Sequence, residues 1–375
     1  MTHKAAGMSV QLEQQLRQSI GAAATHELQR RTGMGTGAMV KRIAHKTGEV
    51  TYYGHDDTDM GRGDALKQAI AESGMRDTII LSSGSYTVDT LGTLTHTLQI
   101  VSPCGPEPCL INFTGSIGVT VPAAASNTYF EGVVISEPTP ATKSASRALI
   151  VDNSDVVCQN CRFKADYAVE IKGNTTNVSN FFGVQMYGRA TGLYMNAVNT
   201  TNGEIRCHDC DIFISLADGE NTESTEPVGI YHLEGGDLWL LGCFVRSGST
   251  HSTITTTHAL FVSGVIAQSQ TFAGNCKFHS TSSGANSRDV KLIGNNAYLH
   301  EAARNLYFRL GLGQTAIDGA PSALFPSLHR DLADPNPVAN TPQGYIGEIA
   351  VNTDNSVGNA GVFWRKDATT WVKIG

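Results

Sequence analysis

The 375-residue sequence predicts an all-β fold: a right-handed parallel β-helix (a solenoid), preceded by a short N-terminal helical arm and cap and followed by a small C-terminal β module. Three observations carry this prediction. Charged residues make up 16% of the chain, against about 25% in ordinary globular domains, and glycine reaches 39 residues, a mix that suits many turns. Short apolar runs alternate with turns rich in Gly, Asn and Ser through the middle of the chain. A short motif also recurs at irregular steps of about one coil, as a solenoid with loops of varying length requires.

Residues 1–60 read as an arm. Val10, Leu12, Leu16, Ile20 and Leu28 lie at roughly helical spacing among Gln, Glu and Arg, and the Gly-rich stretch Thr32–Gly37 breaks the pattern. A helix this short buries little by itself, so the arm is expected to dock on a partner or a neighbouring copy. Met1–Ile20 is polar and lacks an apolar signal core, which points to folding in a reducing cytoplasm with the eight cysteines reduced. Apolar runs long enough to cross a membrane as a helix are missing, so membrane insertion is not expected. The net charge of −7 gives no reason to expect nucleic acid as a partner.

The body is predicted over residues 61–310. Gly63–Ala71 reads as a short helix with Leu66 and Ile70 on one face, followed by Asp77-Thr78-Ile79-Ile80-Leu81 and Gly84-Ser85-Tyr86-Thr87-Val88. A helix followed by D-T-I-x-L-x-x-G-x-Y resembles the opening of pectin-lyase-like β-helices, including many phage tailspikes. The resemblance implies that the helix caps the open end of the solenoid, where unpaired backbone edges need cover.

The recurring motif runs through Phe130–Ile135, Cys158–Phe163, Phe181–Met186, Arg206–Phe213, Leu240–Val245 and Gly274–Phe278. Aligned on positions 132, 161, 183, 210, 243 and 276, it steps by 29, 22, 27, 33 and 33 residues. A second strand precedes each copy by a turn or so: Ala148–Val151, Ala168–Ile171, Gly192–Met195, Gly229–Leu233 and Ala259–Val262. The count is at least six coils between about Asp77 and Leu299. Residues 311–343 carry Pro321, Pro326, Pro335, Pro337 and Pro342 and read as a linker. Residues 344–375 read as a β meander, and their G-E-I-A-V-N-T, W-R-K and W-V-K-I wording resembles C-terminal segments of phage tail and fibre proteins.

Candidate chemistry is sparse. The Cys-x-x-Cys pairs 158/161 and 207/210 are of a type that binds zinc. Yet Cys161, Cys210, Cys243 and Cys276 share one repeat position, which a column of small buried side chains explains better. Cys104 and Cys109 flank a Pro-Gly-Pro turn and could form a local disulfide. A hydrolase or lyase would need carboxylates converging on one face; the candidates are Asp218, Glu220, Glu223 and Glu226 in one acidic insertion, then Glu234 and Asp237. The bland reading of that insertion is a solvated protrusion. Asp152, Asp155, Asp166, Asp209 and Asp211 fall near coil corners, and His55-Asp56-Asp57 falls before the cap. His208, His232, His251, His258 and His279 read as surface or turn residues rather than ligands. Tyr345, Phe363, Trp364 and Trp371 are candidate ligand contacts, or else the core of the small β module.

The order of arm, capped β-helix, linker and β tip resembles bacteriophage spike and fibre proteins. The resemblance implies a virion structural component, homotrimeric, attached to other virion proteins through residues 1–60 and contacting a host-surface polysaccharide. Polygalacturonase-type motifs are not found in the coils, so the expectation is a non-enzymatic protein with no cofactor or metal. A polysaccharide depolymerase on the same fold is the alternative, and a bacterial surface adhesin the second alternative.

Overall fold

The computed structural model describes residues 40–301 apart from 55–57, 104–108, 139–144, 174–177, 218–219, 221, 223, 252, 255, 266–267, 282–286 and 295–296. Beyond these it describes 305–308, 317–318, 330–331, 349–352, 361–367 and 370–373. Of residues 197–202, 234 and 301, and of those beyond 305 except Thr370, Val372 and Lys373, the backbone alone is described. The chain is all-β, with long parallel ladders and, among the described residues, one α-helix.

The edge is closed first. Strand β1 (Val40–Ile43) pairs antiparallel with β2 (Val50–Tyr53) on one side and with β3 (Thr78–Leu81) on the other. This hairpin covers the unpaired backbone of β3, the exposed edge that a sheet must blunt. The last third of the predicted arm therefore belongs to the body. Helix α1 (Asp59–Ala71) starts four residues before its predicted beginning, because the Thr58 hydroxyl accepts from the Gly61 N–H at 3.0 Å and caps it. Its Leu66 is fully buried and Ile70 packs against the core, as its spacing predicts. A Cβ on Gly63 would sit 1.9 Å from the Thr87 carbonyl oxygen, so glycine is what lets the helix lie directly on the next strand, β4 (Gly84–Val88).

From β3 the chain visits three parallel ladders in fixed rotation, nine times among the described residues. The first circuit is β3, β4 and β5 (Gly92–Thr93); the second is β6 (Gln99–Val101), β7 (Cys109–Phe113) and β8 (Ile117–Pro122). Each strand pairs in parallel with its counterpart one circuit on, as Thr78 does with Gln99 and Tyr86 with Ile111. Later circuits run their strands together: residues 185–188 of the long strand Gln185–His208 extend the second ladder, 191–196 the third and 204–208 the first. The pairing continues to Ile317–Asp318, inside the stretch that its prolines mark as a linker.

Side chains alternate in and out along each strand, so every ladder contributes one inward column. On the first ladder it runs Ile79, Ile100, Phe130, Cys158, Phe181, Cys207, Leu240 and Ala273; on the second, Tyr86, Ile111, Ile135, Phe163, Met186, Ile212, Val245 and Phe278. All sixteen are buried in one core. All five second-strand segments read from the sequence lie on the third ladder.

The corner between the first and second ladders follows its own rule. Gly132, Asn160, Gly183, Asp209, Gly242 and Asn275 each take a left-handed conformation there, with φ between 52° and 67°. Glycine and Asn/Asp alternate from circuit to circuit. Asn and Asp tolerate this conformation better than other side-chain-bearing residues. Their side chains also fill the space beside the next corner: a Cβ on Gly183 would lie 2.9 Å from Asn160 Oδ1, and one on Gly242 only 2.3 Å from Asp209 Oδ1. The buried position after this corner holds Val133, Cys161, Val184, Cys210, Cys243 and Cys276. The sequence alignment therefore needs shifting by one at 132 and 183, where glycine is the corner residue and valine the partner of the cysteines.

Ile349–Asn352, Gly361–Asp367 and Thr370–Lys373 form the expected antiparallel meander, and Arg330–Asp331 adds a parallel strand to its edge.

Candidate functional site

The predicted acidic residues do not converge. Asp218 and Glu223 lie outside the described residues, as does the side chain of Glu234. Glu220 accepts from the Ala217 N–H within its own loop at 2.9 Å. Glu226 reaches Lys291 at 3.4 Å and His258 at 3.6 Å beside the third ladder, while Asp237 belongs to the first. Three of the five corner aspartates are engaged elsewhere: Asp152 with Lys172 at 3.6 Å, Asp155 with Ser126, and buried Asp166 with Arg189 at 3.8 Å. His55–Asp57, Cys104 and Tyr345 lie outside the described residues, and so do the side chains of Phe363, Trp364 and Trp371.

The seven described cysteines are interior. Cys161, Cys210, Cys243 and Cys276 are buried in one column, and the Cys243 thiol donates to the Cys207 carbonyl oxygen at 3.3 Å. Burial pushes the Cys161 thiol up to about 12, and Cys158 is raised for the same reason. No group of three or more His, Cys, Asp or Glu gathers as a metal site among the described residues. Two histidines correct the sequence reading. His232 is fully buried in the inward column of the third ladder, bonded to Thr271 at 3.0 Å and to the Gly235 carbonyl at 2.9 Å. His258 is also fully buried.

What the structure brings together lies on the outer face of the first ladder. Its early circuits present polar side chains there: Gln99, Tyr129, Glu131, Gln159 and Asn180, with the Tyr129 hydroxyl 3.0 Å from both Glu131 and Gln159. The same outward column then continues as Arg206, Trp239, Phe272 and His300. Trp239 stacks on Phe272 at 4.1 Å between centroids, and Phe272 on His300 at 4.6 Å. Beside it run Phe182, His208, Leu241 and Gly274, with Phe182 stacked on His208 at 5.1 Å. Trp239, Leu241 and Phe182 expose 40%, 48% and 39% of their surface, so this shelf is open to solvent.

Among the described residues this column runs to Gly274, which carries no side chain next to Leu241. A concavity of about 390 Å³ opens there, lined by Glu204, Arg206, His208, Trp239, Leu240, Leu241, Phe272 and Gly274. Two carboxylates stand beside it as ladder partners, Glu204 and Asp237. Arg206 grips Glu204 with one edge of its guanidinium, Nε and one terminal nitrogen, at 2.8 and 2.9 Å. Asp237 has no such partner among the described residues. Burial raises its carboxyl above the usual range, and the neighbouring Glu204 charge adds to the rise. Burial lowers His300.

This arrangement offers a flat apolar ring face, an open floor and hydrogen-bonding groups along one edge. Such surfaces hold a sugar ring by stacking its C–H face on the aromatic and binding its hydroxyls at the rim. The sequence pattern holds one part of this signal, the outward alternation of Asp237, Trp239 and Leu241. It does not hold the pairing of Trp239 with Phe272, which lie a full circuit apart. Compared with models of known protein families, with curated proteins and with solved structures, the chain matches none.

Proposed function

We propose that the three ladders wind as a right-handed parallel β-helix. The protein would then be a bacteriophage virion structural component, a spike or fibre that holds host-surface polysaccharide on the aromatic shelf. Right-handed winding follows from the near-universal hand of parallel crossovers. A stacked, fully cored shaft with its starting edge covered suits a rigid spacer, and the N-terminal segment suits attachment to other virion proteins. Homotrimer formation belongs to the same reading.

The observation that carries polysaccharide binding is the solvent-open stack of Trp239 on Phe272 at the mouth of a concavity. Soluble proteins seldom leave such rings uncovered without use. Two measurements test the reading. Light scattering after size exclusion should give close to three times 39.9 kDa. A panel of host glycans should yield binding that Trp239→Ala removes. A monomer argues against the spike assembly, and a panel with no binder argues against the shelf.

A second reading has its own observation. Glu204 and Asp237 are direct ladder neighbours, Glu204 held by Arg206 and Asp237 raised by burial and by the Glu204 charge beside it. A pair of neighbouring carboxylates is what glycoside hydrolysis uses. Release of new reducing ends from a bound polysaccharide, lost in both Asp237→Asn and Glu204→Gln, would make the protein a depolymerase. Binding without cleavage keeps the non-enzymatic reading.

A further inference from the structure

The shelf also carries information about which sugars it takes. Asp237 and Trp239 are two residues apart on one strand, so both side chains project from the same face. Trp239 offers its ring to solvent. Asp237 sits half-buried, and no protein donor reaches its carboxylate among the described residues. Its ladder neighbours are Glu204 and Gln270, neither of them a cation. Arg206, the cation in the adjoining outward column, directs one edge of its guanidinium, Nε and one terminal nitrogen, at Glu204. Half-buried carboxylates with no donor are costly, and a donor with positive charge relieves that cost most.

We infer that the shelf selects a glycan bearing a free amine, with one pyranose face on Trp239 and the ammonium against Asp237. This rests on the polysaccharide reading above and narrows it. Acidic sugars are disfavoured by the same geometry, because their carboxylates would meet Asp237 and Glu204, and Arg206 already shares its charge with Glu204. The net charge of the chain, −7, opposes them as well.

Isothermal titration of the full chain against four tetrasaccharides tests this, at moderate salt and mildly acidic pH, where the amine is protonated. The four are β-1,4-linked glucosamine, N-acetylglucosamine, glucose and an α-1,4-linked galacturonate. Glucosamine should bind on the order of tenfold more tightly than its N-acetylated twin, the margin between a charge-assisted and a neutral hydrogen bond. Asp237→Asn should erase that margin while keeping the N-acetylated ligand bound, and Trp239→Ala should lose both. Linear polyamine at equal charge should bind far more weakly, since long-range attraction alone is screened at this salt. Equal affinity for the amine and its acetylated form overturns the inference and leaves the polysaccharide reading standing, as does a margin that survives Asp237→Asn or a preference for galacturonate. Failure of all four to bind removes the polysaccharide reading and this inference together.

Discussion

Two outer faces of this molecule carry aromatic rows, and they have opposite fates. On the third ladder Tyr167, Tyr194, Tyr231 and Phe261 follow one another at centroid distances of 5.4, 5.5 and 4.7 Å. Arg147 closes one end over Tyr167 at 4.6 Å and Lys291 the other over Phe261 at 5.0 Å. Both cations are paired in turn, Arg147 with Glu170 at 2.5 Å and Lys291 with Glu226 at 3.4 Å. On the first ladder the stack of Trp239, Phe272 and His300 shows no such closure among the described residues: its flank there runs to Gly274, and its largest ring is 40% exposed. The same stacking rule thus produces a structural seam on one face and an open surface on the other. The deciding element is what stands beside the rings, not the rings themselves.

The largest expected effect would break the comparison if it failed. Trp239→Ala should weaken oligosaccharide binding by roughly 30-fold or more, as loss of a central aromatic anchor does, while stability stays within about 0.5 kcal/mol of the parent. Calorimetry for binding and denaturant unfolding for stability read the two separately. Tyr231→Ala is the mirror case. It removes a half-buried ring that touches a neighbour on each side and should cost about 2 kcal/mol of stability, with sugar affinity unchanged.

A smaller effect separates the faces by pH. His258, under the third-ladder seam, is held down to about 4 by burial, then by Lys291, with Glu226 pulling the other way and Arg288 adding to the fall. A group with a depressed folded-state value contributes stability that is present above its unfolded value of 6.5 and is lost as pH falls towards 4. Melting temperature should therefore drop over that window, and His258→Gln should flatten this part of the drop. Asp237 has the opposite sign and the smallest effect. Its raised carboxyl favours the folded state at low pH and loses that advantage as pH rises through the folded value, so Asp237→Asn should slightly stabilise the protein at neutral pH and not under acid. Equal curves for the two proteins at neutral pH would show that Asp237 carries no uncompensated burial.

Much of the architecture was legible because it repeats locally. The helix with Leu66 and Ile70 inward, the strands at 78–81 and 84–88, and the five third-ladder strands all follow from short-range alternation. The cysteine column was legible too, since Cys161, Cys210, Cys243 and Cys276 recur in like surroundings. Its register was not, at two points. Gly132 and Gly183 look like the cysteine's equivalent when the chain is read as letters, yet each is the left-handed corner residue one place earlier. Alternation of Gly with Asn or Asp at that corner makes sense only when successive circuits are stacked, because Asn160 and Asp209 fill the space beside Gly183 and Gly242. The burial of His232 was hidden for a similar reason. Its partner Thr271 sits 39 residues on, and only their contact makes an interior imidazole tolerable.

By itself, then, the amino-acid sequence determined the class of fold, the alternation within its strands and the recurrence of a strand motif. These depend on neighbours within a few residues. Only the tertiary structure decided which side chains meet across the ladders: Trp239 with Phe272, Arg206 with Glu204 but not with Asp237, and Arg147 and Lys291 as the closures of the tyrosine seam. Circuit length varies, so a residue's neighbour in the adjacent circuit is set by backbone pairing and not by any fixed offset along the chain. Exposure, pairing and acidity are properties of that neighbour, which is why the candidate site emerged from the ladders.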